Sequence, residues 1–177
     1  MSTKPQDVLV ALKLLDEKNV RLSYKELAAS LGMSVSETHQ AVRRAQVAGL
    51  ISPITRQANR TAVAELLIHG LKYMFPVQPD KRARGLATGF AAPPLLESFR
   101  DSAESGLDIL VWPDAEGENA GWSIHPLTRS VPYAARQDAQ LYEWLVLVDA
   151  LRGAGRARER KLAEAMVRER LNYHAPC

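Results

Sequence analysis

Two helix start signals stand close together in this chain, with a glycine between them. Each signal is a capping box, Ser23 with Glu26 and Ser34 with Glu37, in which serine and glutamate satisfy each other's free backbone N–H groups. Gly32 predicts the end of the first helix, because glycine adopts the left-handed conformation at little cost. The spacing leaves room only for a tight turn, so the sequence predicts a helix, a turn and a second helix.

The second of these helices, predicted from about Ser34 to Ala48, has two different faces. Small or β-branched residues recur with helical spacing on one face, and they predict close packing against other helices. The other face is polar, and glutamine and arginine are suited to bidentate contacts with adenine and guanine in the major groove. The candidate DNA contacts on this helix are Ser34, Ser36, Glu37, His39, Gln40, Arg43 and Arg44.

Apolar residues flank this unit on both sides. A helix is predicted from Pro5, with Val8, Leu9, Leu12 and Leu15 on one buried face. After Gly49, the run Leu50 to Ile54 predicts a short strand. The polar and basic segment that follows predicts a wing that contacts the DNA backbone or minor groove, through Thr55, Arg56, Asn59 and Arg60.

The stretch LSYKELAASLGMSVSETHQAVRRAQVAGLI resembles the winged helix-turn-helix of bacterial transcription regulators, including the MarR-like and related groups. The matching pieces are the ELA..LG.S turn, the S.S....A.RR recognition helix and the AGLI exit into the wing. The resemblance covers the N-terminal third and implies a regulator that binds double-stranded DNA, with a dimeric repressor as the expected form. A purely structural role or a protein contact for this unit stays open.

Charge is distributed unevenly along the chain, although the net charge is only +3. Residues 1–60 carry nine basic and five acidic groups, and residues 152–177 carry seven basic and three acidic groups. The region between them is acidic. Clustered positive charge favours nucleic-acid binding because it displaces counterions from phosphates, so the two basic ends are compatible with a DNA-binding protein.

Several classes of function are disfavoured by what the sequence lacks. The only cysteine is Cys177, so no disulfide within the chain and no cysteine-rich metal site are expected. The four histidines have no metal-ligand spacing, and no catalytic serine motif is present. No apolar run is long enough to cross a membrane and no secretory signal is found. We expect a cytoplasmic protein that is not an enzyme and that needs no cofactor or metal.

The middle of the chain is less regular in its pattern. A helix is predicted from Ala62 to Tyr73, and a proline-rich irregular connection follows. The runs LDILVW, from Leu107, and Trp122 to Ile124 predict two strands joined as a hairpin by an acidic loop. Basic residues of the connection are possible phosphate or partner contacts, although a solvated loop is the more common role: Lys81, Arg82 and Arg84.

Two helices are predicted at the C-terminal end, from Gln140 to Leu151 and from Arg156 to Leu171. The basic segment between and within them is equally compatible with a solvated helix face and with contacts to phosphate or to an acidic partner. The candidate contacts are Arg152, Arg156, Arg158, Arg160 and Lys161.

These predictions combine into a mainly α chain with a small β component, an α+β fold. We expect residues 1–60 to form the winged helix-turn-helix and 61–75 a connecting or dimerisation helix. Residues 76–106 are expected to be the irregular connection, and 107–177 a hairpin with two helices that forms a partner or effector region.

The strings LLIHGLKYMFP, GFAAPPL and LVDALRGAGRARER resemble stretches of small bacterial winged-helix proteins, some encoded near nucleotidyltransferase toxins. This resemblance implies an alternative function, an antitoxin-like module that neutralises a partner protein such as a toxin and regulates its own operon. A third hypothesis is a small-molecule pocket lined by Trp112, Trp122 or Tyr133.

Overall fold

The computed structural model describes residues 2–104 and 108–174. Four helices form its N-terminal part: α1 (Pro5–Lys13), α2 (Glu17–Val20), α3 (Tyr24–Leu31) and α4 (Val35–Val47). The predicted inner face of α1 is buried, from Val8 to Leu15. Helix α2 is a single turn that was not predicted from the sequence, and the side chain of Asp16 caps it.

The predicted connecting helix is confirmed, with an irregularity in its middle. It begins as α5 (Arg60–Glu65), passes through a π-helical turn (Leu66–Gly70) and ends as α6 (Leu71–Met74). Val63, Leu67 and Leu71 face the core. The π turn inserts one residue into the helical repeat, and Gly70 lies at its end.

The segment predicted as an irregular connection contains a strand of the sheet, and the prediction is wrong there. Strand β1 (Arg82–Thr88) is followed by two 3₁₀ turns (Gly89–Ala91 and Leu96–Phe99) and by α7 (Arg100–Glu104). The prolines that suggested a loop flank this strand on both sides, while Gly85 lies within it. Gly85, Ala87 and Thr88 are buried along it, which no alternating pattern in the sequence indicated.

Strands β2 (Leu110–Pro113) and β3 (Asn119–Ser123) complete the sheet, but they do not form the predicted hairpin. They run parallel, with Leu110 opposite Trp122, and β1 is antiparallel to both. Gly85 makes this possible because it pairs with β2 and with β3. A Cβ at Gly85 would overlap the carbonyl oxygen of Trp112, so only glycine allows the strands to approach this closely. The predicted first residue of β2, Leu107, lies outside the described residues.

The C-terminal helices are α8 (Val131–Gln137), α9 (Ala139–Arg152) and α10 (Ala157–Leu171). Helix α8 was not predicted, whereas α9 and α10 match the prediction within a residue or two. Apolar side chains are buried on all sides of α9, from Leu141 to Leu151, which is typical of a central core helix. On α10, Ala163 and Val167 are buried while Ala165 is exposed.

A buried polar cluster joins α9 to the sheet. The Asp149 carboxylate accepts hydrogen bonds from Thr88 Oγ1 at 2.8 Å and from Trp112 Nε1 at 2.6 Å, and it pairs with Arg152 at 3.0 Å. Arg152 Nε also donates to the carbonyl oxygen of Phe75. Burial raises the pKa of Asp149 to about 6, against the opposing effect of the Arg152 charge and the three hydrogen bonds.

The N-terminal helices and the rest of the chain share one continuous hydrophobic core. Helix α8 packs on α3, α9 packs on α1, and α10 packs on α5. Lys13 of α1 forms an ion pair with Asp138, the residue that caps α9, at 2.7 Å. The fold class is confirmed as mainly helical with a small mixed sheet, while the division into four segments remains a prediction.

Candidate nucleic-acid interface

Helices α3 and α4 meet at the tight turn that the sequence predicts. Ser23 caps α3, and its N–H donates to Glu26 Oε2 at 2.8 Å while Ser23 Oγ accepts from the backbone of Glu26. These hydrogen bonds keep the pKa of Glu26 below its usual value. Gly32 ends α3 with a left-handed φ of 64°. The turn is therefore built as expected from the first capping box and the glycine.

The second capping box forms only in part. Ser34 Oγ accepts from the backbone N–H of Glu37 at 3.1 Å, so Ser34 is the N-cap of α4. The Glu37 carboxylate does not return to the backbone of Ser34. It accepts instead from Gln6 Nε2 of α1 at 3.4 Å. Ser34 thus has a structural role at the start of α4, in addition to being exposed there.

The division of α4 into two faces is confirmed. Thr38, Ala41, Val42 and Ala45 are completely buried against the neighbouring helices. The predicted contact residues on the opposite face are exposed, with the exception of Arg44, which is only partly so. They are Ser36, Glu37, His39, Gln40 and Arg43.

Three polar side chains on this face have no partner in the part of the chain that the structure describes. Among the residues that the structure describes, Ser36, Gln40 and Arg43 form no hydrogen bond or ion pair through their side chains. The neighbouring His39 ring lies against the ring of Tyr24, with 4.9 Å between centroids and a tilt of 50°. The face therefore presents one oriented imidazole beside hydrogen-bonding groups that are available to an external ligand.

Arg44 is predicted as a DNA contact, but its side chain packs against α1. Its guanidinium forms a two-pronged ion pair with the Asp7 carboxylate of α1, with Nη2 to Oδ1 at 2.7 Å and Nε at 3.0 Å from both oxygens. The Arg44 side chain is 11% exposed and that of Asp7 is fully buried. Arg44 is therefore part of the packing between α4 and α1, and its guanidinium is not available to a ligand.

The wing is much smaller than predicted. Leu50 to Ile54 does not form a strand, and the segment is held by a single β-bridge between Ile51 and Ala58. A tight turn lies between them, closed by a hydrogen bond from the N–H of Ser52 to the carbonyl oxygen of Gln57 at 2.8 Å. Pro53 ends the ladder because it has no N–H to donate. Thr55 and Ile54 are exposed at the tip.

The two arginines predicted for the wing, Arg56 and Arg60, form hydrogen bonds within the protein. Arg56 Nη2 donates to the carbonyl oxygen of Leu22 at 2.7 Å, and its guanidinium lies 4.9 Å from the centroid of the Tyr24 ring. Arg60 Nη2 donates to the carbonyl oxygen of Arg170 at 2.6 Å. Arg56 thus forms a stack with Tyr24 and His39 that connects the wing to α4.

Asn59 also has a structural partner. Its side chain accepts from the backbone N–H of Ala62 at 3.1 Å and caps α5. Of the four residues predicted for wing contacts, Thr55 alone has no side-chain partner beyond its own turn. The wing region therefore offers a DNA ligand less positive charge than its sequence suggests.

The basic residues of the C-terminal half are separated by the fold. Arg152 is buried with Asp149, Arg156 pairs with Asp108 at 2.9 Å, and Arg158 lies over the Phe99 ring. Arg84 Nε donates to the carbonyl oxygen of Gly117, and Arg82 lies over the Trp122 ring. Lys81, Arg160 and Lys161 are exposed.

Two exposed basic residues near the turn were not predicted from the sequence. Lys25 lies in the first turn of α3. Arg129 lies beside the α3–α4 turn, because the segment from Pro126 to Ser130 shares a cleft of about 550 Å³ with Gly32 and Met33. The contact between α8 and α3 holds this segment in place. No signal in the sequence links Arg129 to a turn almost a hundred residues earlier.

The three side chains predicted as possible pocket walls lie in different places. Trp112 is completely buried beside Asp149. Tyr133 packs against Gly32, where a Cβ would lie 2.7 Å from Tyr133 Cδ1. Trp122 is 36% exposed and lines a separate cleft. Among the described residues, no group of three or more histidine, cysteine or acidic side chains could hold a metal ion.

Searches of curated proteins and of solved structures gave no match to this chain. In the part of the chain that the structure describes, no helix is long and apolar enough to span a membrane. A scan of protein families matched residues 11–52 to the model for winged helix-turn-helix DNA-binding domains. The match begins in α1 and extends through the α3–α4 turn to the start of the wing. Residues 11–52 of this chain are therefore a winged helix-turn-helix DNA-binding domain.

Proposed function

We propose that this protein binds double-stranded DNA at specific sequences and regulates transcription, with the exposed face of α4 in the major groove. The observation that carries the proposal is the set of unpartnered side chains on that face, Ser36, Gln40 and Arg43, opposite a completely buried face. The major groove is wide enough to admit one helix. Helix α4 projects these groups from a turn that is fixed by two serine caps and Gly32.

Base reading is assigned to Gln40 and Arg43. The amide of Gln40 can donate to and accept from the edge of adenine, and the guanidinium of Arg43 can donate twice to guanine. The His39 ring contacts the Tyr24 ring, which in turn lies under Arg56. This stack restricts the rotation of His39 and supports a contact with a base or a phosphate next to Gln40.

Phosphate contacts are assigned to residues at the edges of the unit. Lys25 lies at the positive end of the α3 dipole, where free backbone N–H groups favour an anion. Arg129 lies on the other side of the turn and extends the positive surface into the C-terminal half of the chain. Thr55 at the wing tip has a hydroxyl group that can donate to a phosphate.

A dimeric repressor is the form of regulator that we propose. Helix-turn-helix proteins commonly bind two half-sites about one helical turn of DNA apart, because a single recognition helix reads few base pairs. Tyr73 and Met74, at the end of the connecting helix, are exposed apolar residues within the segment predicted for dimerisation. Sedimentation equilibrium checks the oligomeric state, and a monomer at micromolar concentration contradicts this part of the proposal.

The test of DNA binding is fluorescence anisotropy with a labelled fragment from upstream of the protein's own gene, in competition with unrelated DNA. We expect salt-sensitive binding to the upstream fragment, and a loss of about 1–3 kcal/mol for each of Gln40→Ala and Arg43→Ala. Arg100→Ala, an exposed arginine on α7, is the matched control and should leave the affinity unchanged. Absence of salt-sensitive binding, or equal losses in all three variants, contradicts the proposal.

The alternative of an antitoxin-like module remains a prediction from the C-terminal sequence. Its candidate partner contacts are reduced by the fold, because Arg152 is buried and Arg156 is paired with Asp108. Purification of the protein from native cells under mild conditions separates the two functions. Recovery with a stoichiometric partner protein favours the alternative, and recovery alone counts against it.

A further inference from the structure

A cleft of about 360 Å³ lies where the sheet meets the corner between α9 and α10. Phe90 and Leu110 are buried and form apolar walls, and Trp122 forms a third wall with 36% of its surface exposed. This volume is within the range of sites for small ligands, which are mostly apolar with a few polar groups. The cleft belongs to the C-terminal part of the chain, apart from the exposed face of α4.

Glu159 contributes the buried polar group of this cleft. The residue is 2% exposed, and its Oε1 accepts from the backbone N–H of Arg156 at 3.2 Å, which caps α10. Its Oε2 is buried and has no hydrogen-bond partner in the described part of the chain. Burial raises the pKa of Glu159, and the hydrogen bond from the backbone of Arg156 and the Arg156 charge oppose this effect only in part. A buried carboxylate oxygen without a donor is unfavourable unless a ligand or water supplies one.

Glycines surround this carboxylate. A Cβ at Gly155 would lie 2.6 Å from Oε2, and one at Gly89 would lie 3.7 Å from it. Oε2 is closed to bulk water by this packing, so a ligand can contact it only if the corner from Gly153 to Gly155 moves outward. Gly153 has a φ of 103°, and two glycines in three residues make the corner easy to displace.

The charges around the cleft favour a cation. Asp80, Asp108 and Glu159 line it with one guanidinium, that of Arg156. Arg156 is already paired with Asp108 at 2.9 Å, so the carboxylates of Asp80 and Glu159 are not compensated there. An anionic ligand is disfavoured by this balance. A metal ion is disfavoured because the described residues offer no cluster of three ligating side chains.

We propose that this cleft is a binding site for a small organic cation, a primary ammonium attached to an apolar or aromatic body. The ammonium donates a hydrogen bond to Glu159 Oε2, and the body lies between Phe90, Leu110 and Trp122. The Phe90 ring adds a favourable interaction with the positive charge, whereas the Trp122 ring already has the Arg82 guanidinium 5.7 Å from its centroid. The proposal does not depend on DNA binding, since it concerns a different set of residues.

Isothermal titration calorimetry with three ligands of similar shape tests the assignment: 2-phenylethylammonium, 2-phenylethanol and phenylacetate. The ammonium should bind about tenfold more tightly than the neutral alcohol or better, and phenylacetate should not bind. Equal binding of all three indicates an apolar cleft without charge selection and overturns the proposal. No binding of any of them indicates a cleft that holds only water, and it also overturns the proposal.

Glu159→Gln removes the charge while its amide oxygen can still accept from the N–H of Arg156 and cap α10. The ammonium should bind at least about tenfold more weakly to this variant, and the alcohol should bind within about twofold of its wild-type affinity. Glu169→Gln, an exposed carboxylate on the same helix, is the control and should bind like the wild type. If Glu159→Gln binds the ammonium as the wild type does, the proposal fails. Because the three-ligand series uses the wild-type protein, it remains decisive even if the variant does not fold.

Discussion

The guanidinium of Arg44 and the carboxylate of Asp7 form a buried ion pair with three hydrogen bonds, between the recognition helix α4 and the first helix α1. Asp7 also accepts a hydrogen bond from the backbone N–H of Lys4 at 2.9 Å, so both oxygens of its carboxylate accept hydrogen bonds. The adjacent Arg43 points away from the core and has no partner among the described residues. The two neighbouring arginines of α4 therefore differ in their surroundings. The Arg44 side chain takes part in packing, and the Arg43 side chain is exposed.

Arg44→Ala should destabilise the protein, because the Asp7 carboxylate stays buried without its counterion. We expect the free energy of unfolding to fall by about 3–5 kcal/mol, the usual result of removing one partner of a buried ion pair. Urea denaturation followed by circular dichroism measures this change. At protein concentrations and temperatures where the variant is folded, its affinity for DNA should stay close to that of the wild type.

Arg43→Ala is the matched variant and should show the opposite behaviour. Its free energy of unfolding should change by less than about 0.5 kcal/mol, as expected for an exposed side chain. Its affinity for specific DNA should fall by about 1–3 kcal/mol. If Arg44→Ala and Arg43→Ala weaken DNA binding equally without loss of stability, the assignment of Arg44 to the interior is wrong.

Local signals in the sequence were sufficient to predict the helices near the interface. Serine caps, Gly32 and the small residues from Thr38 to Ala45 act within a few positions along the chain, and the structure confirms the face that they predict. Sequence spacing could not show that Arg44 reaches Asp7, or that Arg56 reaches Leu22, since these partners are far apart along the chain. Both arginines therefore looked like surface charges.

The sheet could not be predicted for a similar reason. Turn-forming residues between Pro113 and Asn119 suggested a hairpin, but β2 and β3 are parallel to each other because each of them also pairs with β1 in the antiparallel sense. The partner of each strand is set by Gly85 and Gly121, which allow close contact between backbones. Polar and apolar residues alternate only weakly around these glycines, and a glycine alone does not indicate which strand will lie against it.

Gly85→Ala should test this arrangement of strands. The added Cβ would overlap the backbone of Trp112, and rigid backbone cannot move aside as a flexible side chain can. We expect a loss of about 3 kcal/mol in the free energy of unfolding, measured by urea denaturation. Gly70→Ala, in the π turn, is the control and should change stability by less than about 1 kcal/mol, since its nearest neighbour is the end of the Leu66 side chain. Similar effects of the two variants contradict the assigned role of Gly85.

Gly32→Ala should disturb the contact between the turn and α8. Gly32 has a left-handed φ and Tyr133 Cδ1 lies 2.7 Å from the position of an added Cβ. Gly49 has a similar φ of 76° but no atom within 4 Å, so Gly49→Ala measures the cost of the backbone conformation alone, about 1–3 kcal/mol. The cost of Gly32→Ala should be larger, and the difference should become smaller when Tyr133→Ala is added, although Ser130 Cβ remains 3.3 Å from the added Cβ. An unchanged difference contradicts a steric origin at Tyr133.

Arg129→Ala tests whether the C-terminal half contributes to DNA binding. If Arg129 contacts one phosphate, the slope of the logarithm of the affinity against the logarithm of salt concentration should become less steep by about 0.9, and affinity should fall similarly for specific and unrelated DNA. Anisotropy titrations at several salt concentrations give the slope. Arg100→Ala is the control, and an unchanged slope in Arg129→Ala contradicts the assigned phosphate contact.

The pair of Lys13 and Asp138 joins α1 to α9, and it predicts a dependence of stability on pH. Burial acts to raise the pKa of Asp138, but the hydrogen bonds from Lys13 and from the backbone of Leu141, and the charges of Lys13 and Lys18, outweigh it, so the pKa lies below the usual value of an aspartate. In the folded state Asp138 therefore binds its proton more weakly than in the unfolded state. The stabilisation is complete above the unfolded pKa and is lost as the pH falls through the folded value.

Asp138→Asn should lower the free energy of unfolding by about 3 kcal/mol near neutral pH, because Lys13 stays buried without its partner. The N-cap of α9 is retained, since an asparagine oxygen also accepts from the backbone N–H groups of Gln140 and Leu141. The difference between wild type and variant should shrink as the pH falls below 4, where the wild type loses the same interaction. Asp80→Asn, an exposed carboxylate, should follow the wild type at every pH. Urea denaturation at a series of pH values measures these curves, and a difference between wild type and Asp138→Asn that stays constant into acid contradicts the stabilising pair.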